Sequence, residues 1–418
     1  MNIGITGPDI IISKGGAQNV AVNVIKILNN HYNIIYLPDP ELYNKFRSNK
    51  NNTIKTANNL ERSGIKITKY FYDILDNNYN YDEIINIYSK ENMDFIFNFD
   101  FIGNFIFSKN FTLELSKKMN LKYGVCLQGL GNYDIHLFKY MYSTLMLSKN
   151  FHIFLYRVYN FIYRHFLLFE LANSDNLLFI LVIYENYNDN ININFENIEI
   201  INPAIGVINS NIDISMYINM HKENKIIFFA RLNYLKGILD IPKILKLIIK
   251  KYNTKIVICG KFNRDFERKL FFKMVNKLKL NDYVVYKGYL SDDELYNEIS
   301  TSKLMLYPSH DDSQPIAVMQ SLSLYTPVVA YSIAGLKIYN DFKSVKLVKE
   351  FDYKSMANEA LKMLKMENTY NLFNDNINEF IKKHNWYNVA MEYKNIIEKY
   401  SKNDARIEKN AKDIDVYN

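Results

Sequence analysis

The amino-acid sequence predicts an α/β fold made of two doubly wound, parallel-sheet domains. The chain has 418 residues, more than one hydrophobic core usually organises, so its length favours two domains. Short apolar runs alternate with segments of helical length in both halves, and strands that alternate with helices in this way pair in parallel. Two such domains form a ligand-binding cleft where the carboxyl edges of their sheets face one another.

The first half begins with a strand, a glycine loop and a helix. The strand is predicted at Asn2 to Thr6, and Gly15 and Gly16 form the loop. Apolar residues at helical spacing follow, namely Ala17, Val20, Ala21, Val24, Ile25 and Leu28. Three apolar runs predict further strands, at Asn33 to Leu37, Phe95 to Phe99 and Tyr123 to Leu127. We place the first domain at residues 1–207.

A stretch rich in aromatic and basic residues, Leu145 to Ala172, predicts a long helix late in this domain. Its charged side chains make it too polar to span a membrane. Two interpretations remain open. An amphipathic helix can rest on an anionic bilayer, whereas a helix that flanks the core turns its aromatic side chains toward the sheet.

The second half alternates more clearly, and we place the second domain at residues 208–383. Strands are predicted at residues 225–230, 255–259, 283–286, 303–307 and 327–331, and helices at residues 238–251 and 265–280. A further helix begins after Ser291, which forms a capping box with Glu294. Residues 384–402 predict a closing helix, and residues 403–418 a polar, frayed tail.

Composition and charge exclude several classes of protein. Hydrophobic residues at 48% and charged residues at 23% exclude disordered, collagen-like and coiled-coil chains. The net charge of +7 is spread over a long chain, unlike that of a dedicated nucleic-acid-binding protein. Cys126 and Cys259 lie far apart without partners at metal-ligand spacing, which argues against disulfides and zinc and favours a cytoplasmic protein. The N-terminus does not resemble a signal peptide.

The segment ARLNYLKG, residues 230–237, follows a predicted strand and precedes a helix. There Arg231 and Lys236 can converge on a diphosphate, and Gly237 lets the chain turn into the helix. Spacing alone leaves other interpretations open. Arg231 can pair with an acidic neighbour, and Lys236 can be an exposed charge ahead of the helix.

A second candidate site is a predicted helix N-terminus. Pro315 suits the first turn of a helix with Ser313 or Gln314 as the cap, so backbone amides from Gln314 to Ala317 are expected to face the cleft. A helix N-terminus binds phosphate well. Ordinary capping by Asp312 or Ser313 explains the same pattern.

In their order along the chain, these motifs resemble those of family 4 of the retaining glycosyltransferases. Members of that family have the GT-B fold and transfer sugars from nucleotide donors. ARLNYLKG resembles the family's G-R-L-x-x-x-K-G segment, with Ala230 for the first glycine. KIVICGK at residues 255–261 resembles its L-x-I-x-G strand end, and residues 284–300 resemble the strand, glycine and helix beside the nucleobase. Residues 308–336 resemble the stretch that holds its E-x7-E pair and P-V-V-A strand.

Further matches extend the resemblance over nearly the whole chain. Gly15-Gly16-Ala17 matches the N-terminal glycine loop, Ser174 the serine at a strand end, and residues 384–400 the closing tryptophan helix. The resemblance implies two Rossmann-like domains that face an inter-domain cleft. The first is then the acceptor side, the second binds the nucleotide sugar, and the closing helix packs back toward the first.

The resemblance assigns roles to individual residues. Arg231 and Lys236 would neutralise the donor diphosphate and the charge that develops on the leaving nucleotide. Asp312 takes the first acidic position and would face the donor sugar, and Gln128 takes the position of a histidine at a strand end. These four are the predicted catalytic residues. The predicted donor-binding residues are Gly15, Gly16, Gly260, Tyr289, Leu290, Ser313, Gln314, Pro315, Ile316 and Gln320. Tyr289 and Leu290 would lie beside the base. No bound metal or other cofactor is implied.

Two positions depart from the family pattern. Gln320 replaces the ribose-binding Glu, and because a neutral hydrogen bond is about 1 kcal/mol weaker than a charged one, donor affinity is expected to fall about fivefold. Gln128 offers no imidazole, but retention in this family is thought to need no strong protein nucleophile, since the leaving phosphate assists on the face of attack. We interpret His310 as a loop residue and not as a base.

The resemblance therefore predicts a metal-independent, retaining hexosyltransferase of polysaccharide or glycolipid biosynthesis, acting on a glycan or lipid-linked acceptor. It would be cytoplasmic, with peripheral contact to anionic membrane through Leu145 to Ala172, and without a nucleic-acid partner. Two alternatives remain. A catalytically silent GT-B subunit is kept open by Gln128 and Gln320. A nucleotide-sugar 2-epimerase needs carboxylates and a histidine in the cleft, and the tryptophan helix and the Arg/Lys loop count against it.

Overall fold

The structure is a computed structural model of the 418-residue chain. It describes residues 1–13, 15–101, 110–127, 155, 166–182, 199–201, 206, 214–217, 220–312, 314–373 and 376–414. Two parallel sheets, each of six strands within these residues, form the framework. The predicted α/β class with two parallel sheets is confirmed.

The first sheet has the strand order β2-β1-β3-β4-β5-β6, and its neighbouring strands pair in parallel. Its strands are β1 Asn2–Thr6, β2 Asn33–Leu37, β3 Phe95–Asn98, β4 Tyr123–Leu127, β5 Leu177–Val182 and β6 Glu199–Ile201. Its helices are α1 Gly16–Leu28, α2 Tyr43–Ser48, α3 Lys50–Arg62, α4 Phe71–Asp76, α5 Tyr81–Tyr88 and α6 Phe111–Met119. Every residue of β4 is buried, as expected for a central strand covered on both faces.

The second sheet has the order β12-β11-β10-β7-β8-β9, again with parallel neighbours. Its strands are β7 Glu223–Phe229, β8 Lys255–Cys259, β9 Val284–Gly288, β10 Ser302–Tyr307, β11 Val328–Tyr331 and β12 Val345–Val348. The helices are α7 Ile241–Ile249, α8 Asp265–Lys277, α9 Asp292–Thr301, α10 Ile316–Ser323, α11 Tyr353–Leu364, α12 Asn376–Lys383 and α13 Trp386–Ile414. The predicted capping box of Ser291 and Glu294 starts α9.

Both sheets change winding direction at a defined pair of strands. In the first sheet β1 lies between β2 and β3, and in the second β7 lies between β8 and β10. Ligands of open α/β sheets bind at such switch points, outside the carboxyl ends of the strands. A ligand-binding site is therefore expected at the loops that follow β1, β7 and β10.

Helix α13 returns from the second sheet to the first. Trp386 is buried, and a Cβ placed on Gly206 would lie 2.2 Å from its ring. Tyr393 stacks on Phe99 with ring centroids 5.6 Å apart. Further along, Glu398 accepts a hydrogen bond of 3.2 Å from Tyr32. Tyr32 belongs to the part of the chain built around the first sheet, here called the first unit, and the part built around the second sheet is the second unit. These apolar and polar contacts join the C-terminal helix to the N-terminal unit.

Some predictions differ from the structure. The closing helix, predicted at residues 384–402, runs from Trp386 to Ile414, so residues 403–414 are helical and not a frayed tail. Ser174 was matched to a strand end, but it lies in the turn that leads into β5, at the opposite edge of the sheet. Strands β5, β6 and β12 were not predicted. The predicted domain boundary at 207 and 208 lies outside the described residues.

The predicted helix at residues 145–172 is described only at residue 155 and from 166 to 172. Phe166 and Phe169 point outward there, with exposed fractions of 58% and 63%, whereas Leu168 and Leu171 are buried. At this end the segment flanks the core through its leucines, whereas the two described phenylalanines face away from it. Within the described ranges, no helix combines the length and the apolar character needed to cross a membrane.

Candidate active site

The glycine loop after β1 is fixed by hydrogen bonds within the first unit. Asp9 accepts from the backbone amides of Ile11 and Ile12 at 3.0 and 3.1 Å and from the hydroxyl of Ser13 at 2.6 Å. The buried Tyr36 donates to the carbonyl of Pro8 at 2.8 Å. This turn delivers Gly15 and Gly16 to the start of α1, where the first amides of a helix have no intrahelical acceptor.

The glycine loop faces the second unit directly. A Cβ placed on Gly15 would lie 3.9 Å from Nη1 of Arg231, and one on Gly16 would lie 3.4 Å from Cδ1 of Ile316. Arg231 is exposed, and its guanidinium has no hydrogen-bond partner among the residues that the structure describes. The structure therefore brings four predicted site residues together from two separate sheets.

Gly237 sets the spacing between the loops after β7 and β10. It has φ +76°, and a Cβ there would lie 1.9 Å from the carbonyl oxygen of Pro308. The amide of His310 donates to the carbonyl of Leu235 at 2.7 Å. Only glycine combines this left-handed conformation with so close an approach. The loop that carries Lys236 is thus packed against the loop that carries Asp312.

Lys236 and Asp312 form an ion pair in which both side chains are largely buried. Nζ of Lys236 also donates to the carbonyl of Asp311 at 2.9 Å. The carboxylate of Asp312 additionally accepts from the hydroxyls of Tyr307 and Ser309, the latter at 2.8 Å. Burial and the neighbouring Asp312 charge raise the pKa of Tyr307 well above its ordinary value, so its hydroxyl remains a donor. Three donors therefore hold the predicted sugar-facing carboxylate.

Helix α10 begins one residue later than predicted. Pro315 is its N-cap residue, with φ −74° and ψ 107°, and the helix starts at Ile316, so Pro315 is not inside the first turn. Proline cannot cap through its side chain, and the amides of Val318 and Met319 donate to its carbonyl at 3.0 and 3.2 Å. Gln320, the replacement for the expected Glu, is half-buried on this helix. Ser313 lies outside the described residues.

The predicted base-side residues cluster at the ends of β8 and β9. A Cβ on Gly260 would lie 2.0 Å from the carbonyl oxygen of Ala230, and the Gly260 amide donates to the carbonyl of Gly288 at 2.6 Å. Tyr289 follows with an exposed fraction of 71%, and Leu290 is half-buried. An aromatic ring at this edge can stack on a planar base.

His310, which the sequence indicates as a loop residue, has a side chain that is buried in a polar network. Nε2 lies 3.0 Å from Oδ2 of Asp240, and Nδ1 lies 2.8 Å from Oε1 of Glu350. Burial alone would lower the pKa of His310, but its hydrogen bonds to the two carboxylates raise it above the ordinary value. Burial would raise the pKa of Asp240, but His310 and Lys243 hold it below the ordinary range. The only local signal was a histidine beside two acidic residues.

Gln128, the fourth predicted catalytic residue, lies outside the described residues. In the part of the chain that the structure describes, no group of histidine, cysteine and acidic side chains is arranged to hold a metal ion. Cys126 and Cys259 are both buried, and burial raises the pKa of the Cys259 thiol to about 12, so neither is a ready nucleophile.

Comparison with known proteins gives matches in the same region and over the whole fold. The family described as glycosyl transferases group 1 matches residues 216–380. An uncharacterized glycosyltransferase of Methanocaldococcus jannaschii is 30% identical over 115 residues, which are 27% of this chain and 28% of that protein. The chain thus aligns with well under half of that relative.

Two solved structures illustrate the likeness in fold. A glycosyltransferase from Rickettsia africae has a TM-score of 0.65 at 15% identity and covers 96% of this chain and 99% of its own. Anabaena HepE in complex with UDP and glucose has a TM-score of 0.66 at 11% identity, with coverage of 96% and 100%. The chain therefore has the fold of the GT-B glycosyltransferases, and the match of its second unit supports a group 1 glycosyltransferase.

Proposed function

We propose that the protein is a retaining glycosyltransferase of family 4 that transfers a hexose-type sugar from a nucleotide-sugar donor to a glycan or lipid-linked acceptor. The approach of Gly15 on the first unit to Arg231 on the second, 3.9 Å from a Cβ at Gly15 to Nη1, is the observation that carries this proposal. It gathers an exposed cation, a glycine loop and the start of α10 around one cleft.

In this proposal Arg231 and Lys236 bind the donor diphosphate. Lys236 has three N–H donors, and the carbonyl of Asp311 and the carboxylate of Asp312 take two of them. Among the residues that the structure describes, the third donor has no acceptor, and in this proposal it binds a phosphate oxygen. Fixed cations of this kind stabilise charge as it develops on the leaving nucleotide, a role that a metal ion fills in other transferases. We therefore propose a metal-independent reaction.

The start of α10 binds the donor from the other side. The amides of Ile316 and Ala317 come first in the helix, where no intrahelical acceptor exists, and the positive end of the helix dipole favours phosphate or sugar oxygens. Asp312 is held rigid by its three donors and would accept from a sugar hydroxyl. Tyr289 would cover the base, and Gln320 would hydrogen-bond the ribose.

Retention follows if the acceptor hydroxyl attacks on the face that the diphosphate leaves. The leaving phosphate then accepts the proton of the acceptor, and no protein nucleophile forms a covalent intermediate. Proton NMR of the product would show the anomeric configuration of the donor.

We also propose that the enzyme works at the cytoplasmic face of an anionic membrane when its acceptor is lipid-linked. The outward-facing Phe166 and Phe169, on the basic and aromatic stretch of residues 145–172, support this contact. Interfacial helices bind through such aromatic side chains together with cations.

The test is calorimetric titration of the protein with UDP, GDP, ADP and their sugars, with UDP first because the HepE complex contains it. We expect one nucleotide to bind, and Arg231→Ala and Lys236→Ala to weaken it strongly. Turnover of the matching sugar should fall by about two to four powers of ten in Arg231→Ala, as for other preorganised charge stabilisers.

Arg268→Ala is the matched control, since Arg268 is also an exposed arginine and lies on α8. Equal effects of the two arginine variants would contradict the proposal. Nucleotide binding without any sugar transfer or hydrolysis would favour a catalytically silent GT-B subunit. Conversion of the donor to its 2-epimer would favour the epimerase alternative.

A further inference from the structure

His310 joins three separate elements of the second unit. It follows β10, its ring reaches Asp240 at the N-terminus of α7, and it reaches Glu350 just beyond β12. The exposed fractions of the three side chains are 2%, 1% and 11%. Phe351 stacks on the ring, with centroids 4.5 Å apart, and closes the network from one side.

The hydrogen-bond geometry favours a protonated ring. A neutral imidazole has one N–H and one lone pair, whereas both nitrogens of His310 face a carboxylate oxygen at 3.0 Å or less. A lone pair against a buried carboxylate is repulsive, and a buried acceptor left without a donor is costly. The imidazolium, with two N–H donors, satisfies both contacts.

The remaining polar groups of the network face Asp240. Tyr331 on β11 donates to its Oδ2 at 3.1 Å, and Tyr353 on α11 donates to its Oδ1 at 3.0 Å. Nζ of Lys243 lies 3.3 Å from Oδ1. With the protonated ring, two cations balance the two carboxylates. Loss of the ring proton would leave the network with a net negative charge inside the domain.

The same histidine is built into the candidate active site. Its amide donates to the carbonyl of Leu235, the residue before Lys236, and Asp240 lies three residues after Gly237. Asp312 is two residues beyond the ring. A shift of His310 therefore moves the Lys236 and Asp312 loops relative to each other.

We propose that protonated His310 is a positioning residue that holds residues 309–312 against residues 231–237, so that Lys236 and Asp312 stay aligned for the donor diphosphate. This inference rests on the proposed function of the same site. It adds a proton-dependent contact among His310, Asp240 and Glu350, here called the clamp, which lies outside the groups that touch the donor.

The sign of the pH effect follows from the raised pKa of His310. The clamp is complete below about pH 6.5, the ordinary value for histidine, and is lost as the pH rises through the higher folded-state value. Donor affinity should therefore fall on the alkaline side. The same direction applies to the contribution of His310 to folding stability.

The experiment measures the dissociation constant of UDP by calorimetry between pH 6 and pH 9.5, with GDP and ADP as alternative probes. Wild-type affinity should fall by about fivefold to tenfold across the transition, the size expected when a residue outside the ligand contacts changes the site. His310→Gln should bind about as weakly at pH 6 as the wild type does at high pH, and its profile should lack the histidine transition. Protonation of the nucleotide itself affects the wild type and His310→Gln equally, so it does not contribute to the difference between their pH profiles.

Glu350→Gln provides a second variant that keeps the imidazole. Removing one carboxylate lowers the pKa of His310, so the fall in affinity should move to lower pH. His384→Gln, which changes another buried histidine, is the matched control and should keep the wild-type profile.

Identical pH profiles for the wild type, His310→Gln and Glu350→Gln would overturn the clamp, while loss of binding in Arg231→Ala would still support the donor site. If His310→Gln does not fold, Glu350→Gln tests the proposal alone, through the pH at which its nucleotide affinity falls. No nucleotide binding by the wild type would overturn both proposals.

Discussion

Gly237 is a single backbone position that controls the distance between the two loops of the candidate site. Its φ of +76° is a left-handed conformation that costs a residue with a Cβ about 1–2 kcal/mol. The Cβ would also meet the carbonyl oxygen of Pro308 at 1.9 Å, so the loops must separate. A side chain at position 237 would therefore both strain the backbone and push the two loops apart.

Gly237→Ala should therefore lower the free energy of unfolding by more than about 2 kcal/mol and weaken nucleotide binding. Urea unfolding and calorimetry measure the two effects. Gly64→Ala is the control, because Gly64 has φ +92° but nothing within 4 Å of an added Cβ. It should show the conformational cost alone and unchanged nucleotide affinity. Equal stability losses in the two variants would argue against the loop contact.

Lys236 shows why the sequence could suggest a residue but not its arrangement. Its spacing from Arg231 indicated convergence on a diphosphate, and an exposed charge was the alternative. The structure instead pairs it with Asp312, 76 residues away, and buries most of both side chains. Such a pair depends on β7 and β10 being neighbours, and local spacing carries no information about that pairing.

At the scale of elements, β1, β2, β4 and β8 have the predicted bounds. Each is a short, mainly apolar run, which is the pattern of a strand in a parallel sheet. β12 was missed, since only two of its four residues are buried and its sequence VKLV is short. The start of α10 was misplaced by one residue because both positions suit a proline near a helix N-terminus.

The helical segment at residues 166–172 separates two faces. Leu168 and Leu171 pack inward, while Phe166 and Phe169 are 58% and 63% exposed. Two neighbouring exposed phenylalanines on one helical segment are an element-scale feature, and a bilayer interface is the surface that we propose for them.

The double variant Phe166→Ser, Phe169→Ser should reduce binding to vesicles of mixed phosphatidylcholine and phosphatidylglycerol by about thirtyfold or more, because each buried aromatic contributes more than about 1 kcal/mol. Vesicle co-sedimentation measures this binding. Phe266→Ser, on the exposed face of α8, is the matched control and should bind like the wild type. Nucleotide affinity in solution should not change. Equal vesicle binding by all three proteins would exclude this contact.

At the scale of the whole molecule, the candidate site exists only because two sheets face each other. Gly15 and Gly16 come from the first unit, and Arg231 and Ile316 come from the second. Helix α13 ties the two units together through Trp386, which is buried, and Tyr393, which stacks on Phe99. These contacts of α13 thus hold the two units together.

Gly16→Leu should weaken nucleotide binding by about tenfold or more, because even a Cβ there lies 3.4 Å from Cδ1 of Ile316, so a leucine side chain would push the glycine loop and the start of α10 apart. Gly16 is exposed, so the melting temperature should stay near that of the wild type. Asn19→Leu, at an exposed position in the next turn of α1, is the control. A nucleotide affinity equal to that of the wild type in Gly16→Leu would show that the donor does not bind beside Gly16.

The sequence by itself determined the local features: the α/β class, most strand cores, the glycine loop and the cations at 231 and 236. These depend on periodicity, burial and turn chemistry within a few residues. Only the tertiary structure decided how these parts combine. The partners of His310 lie 70 and 40 residues away in the chain, and the partner of Lys236 lies 76 residues away. Strand order and the facing of the two sheets bring these side chains together, because a buried charge is stable only where the fold supplies its counter-charge.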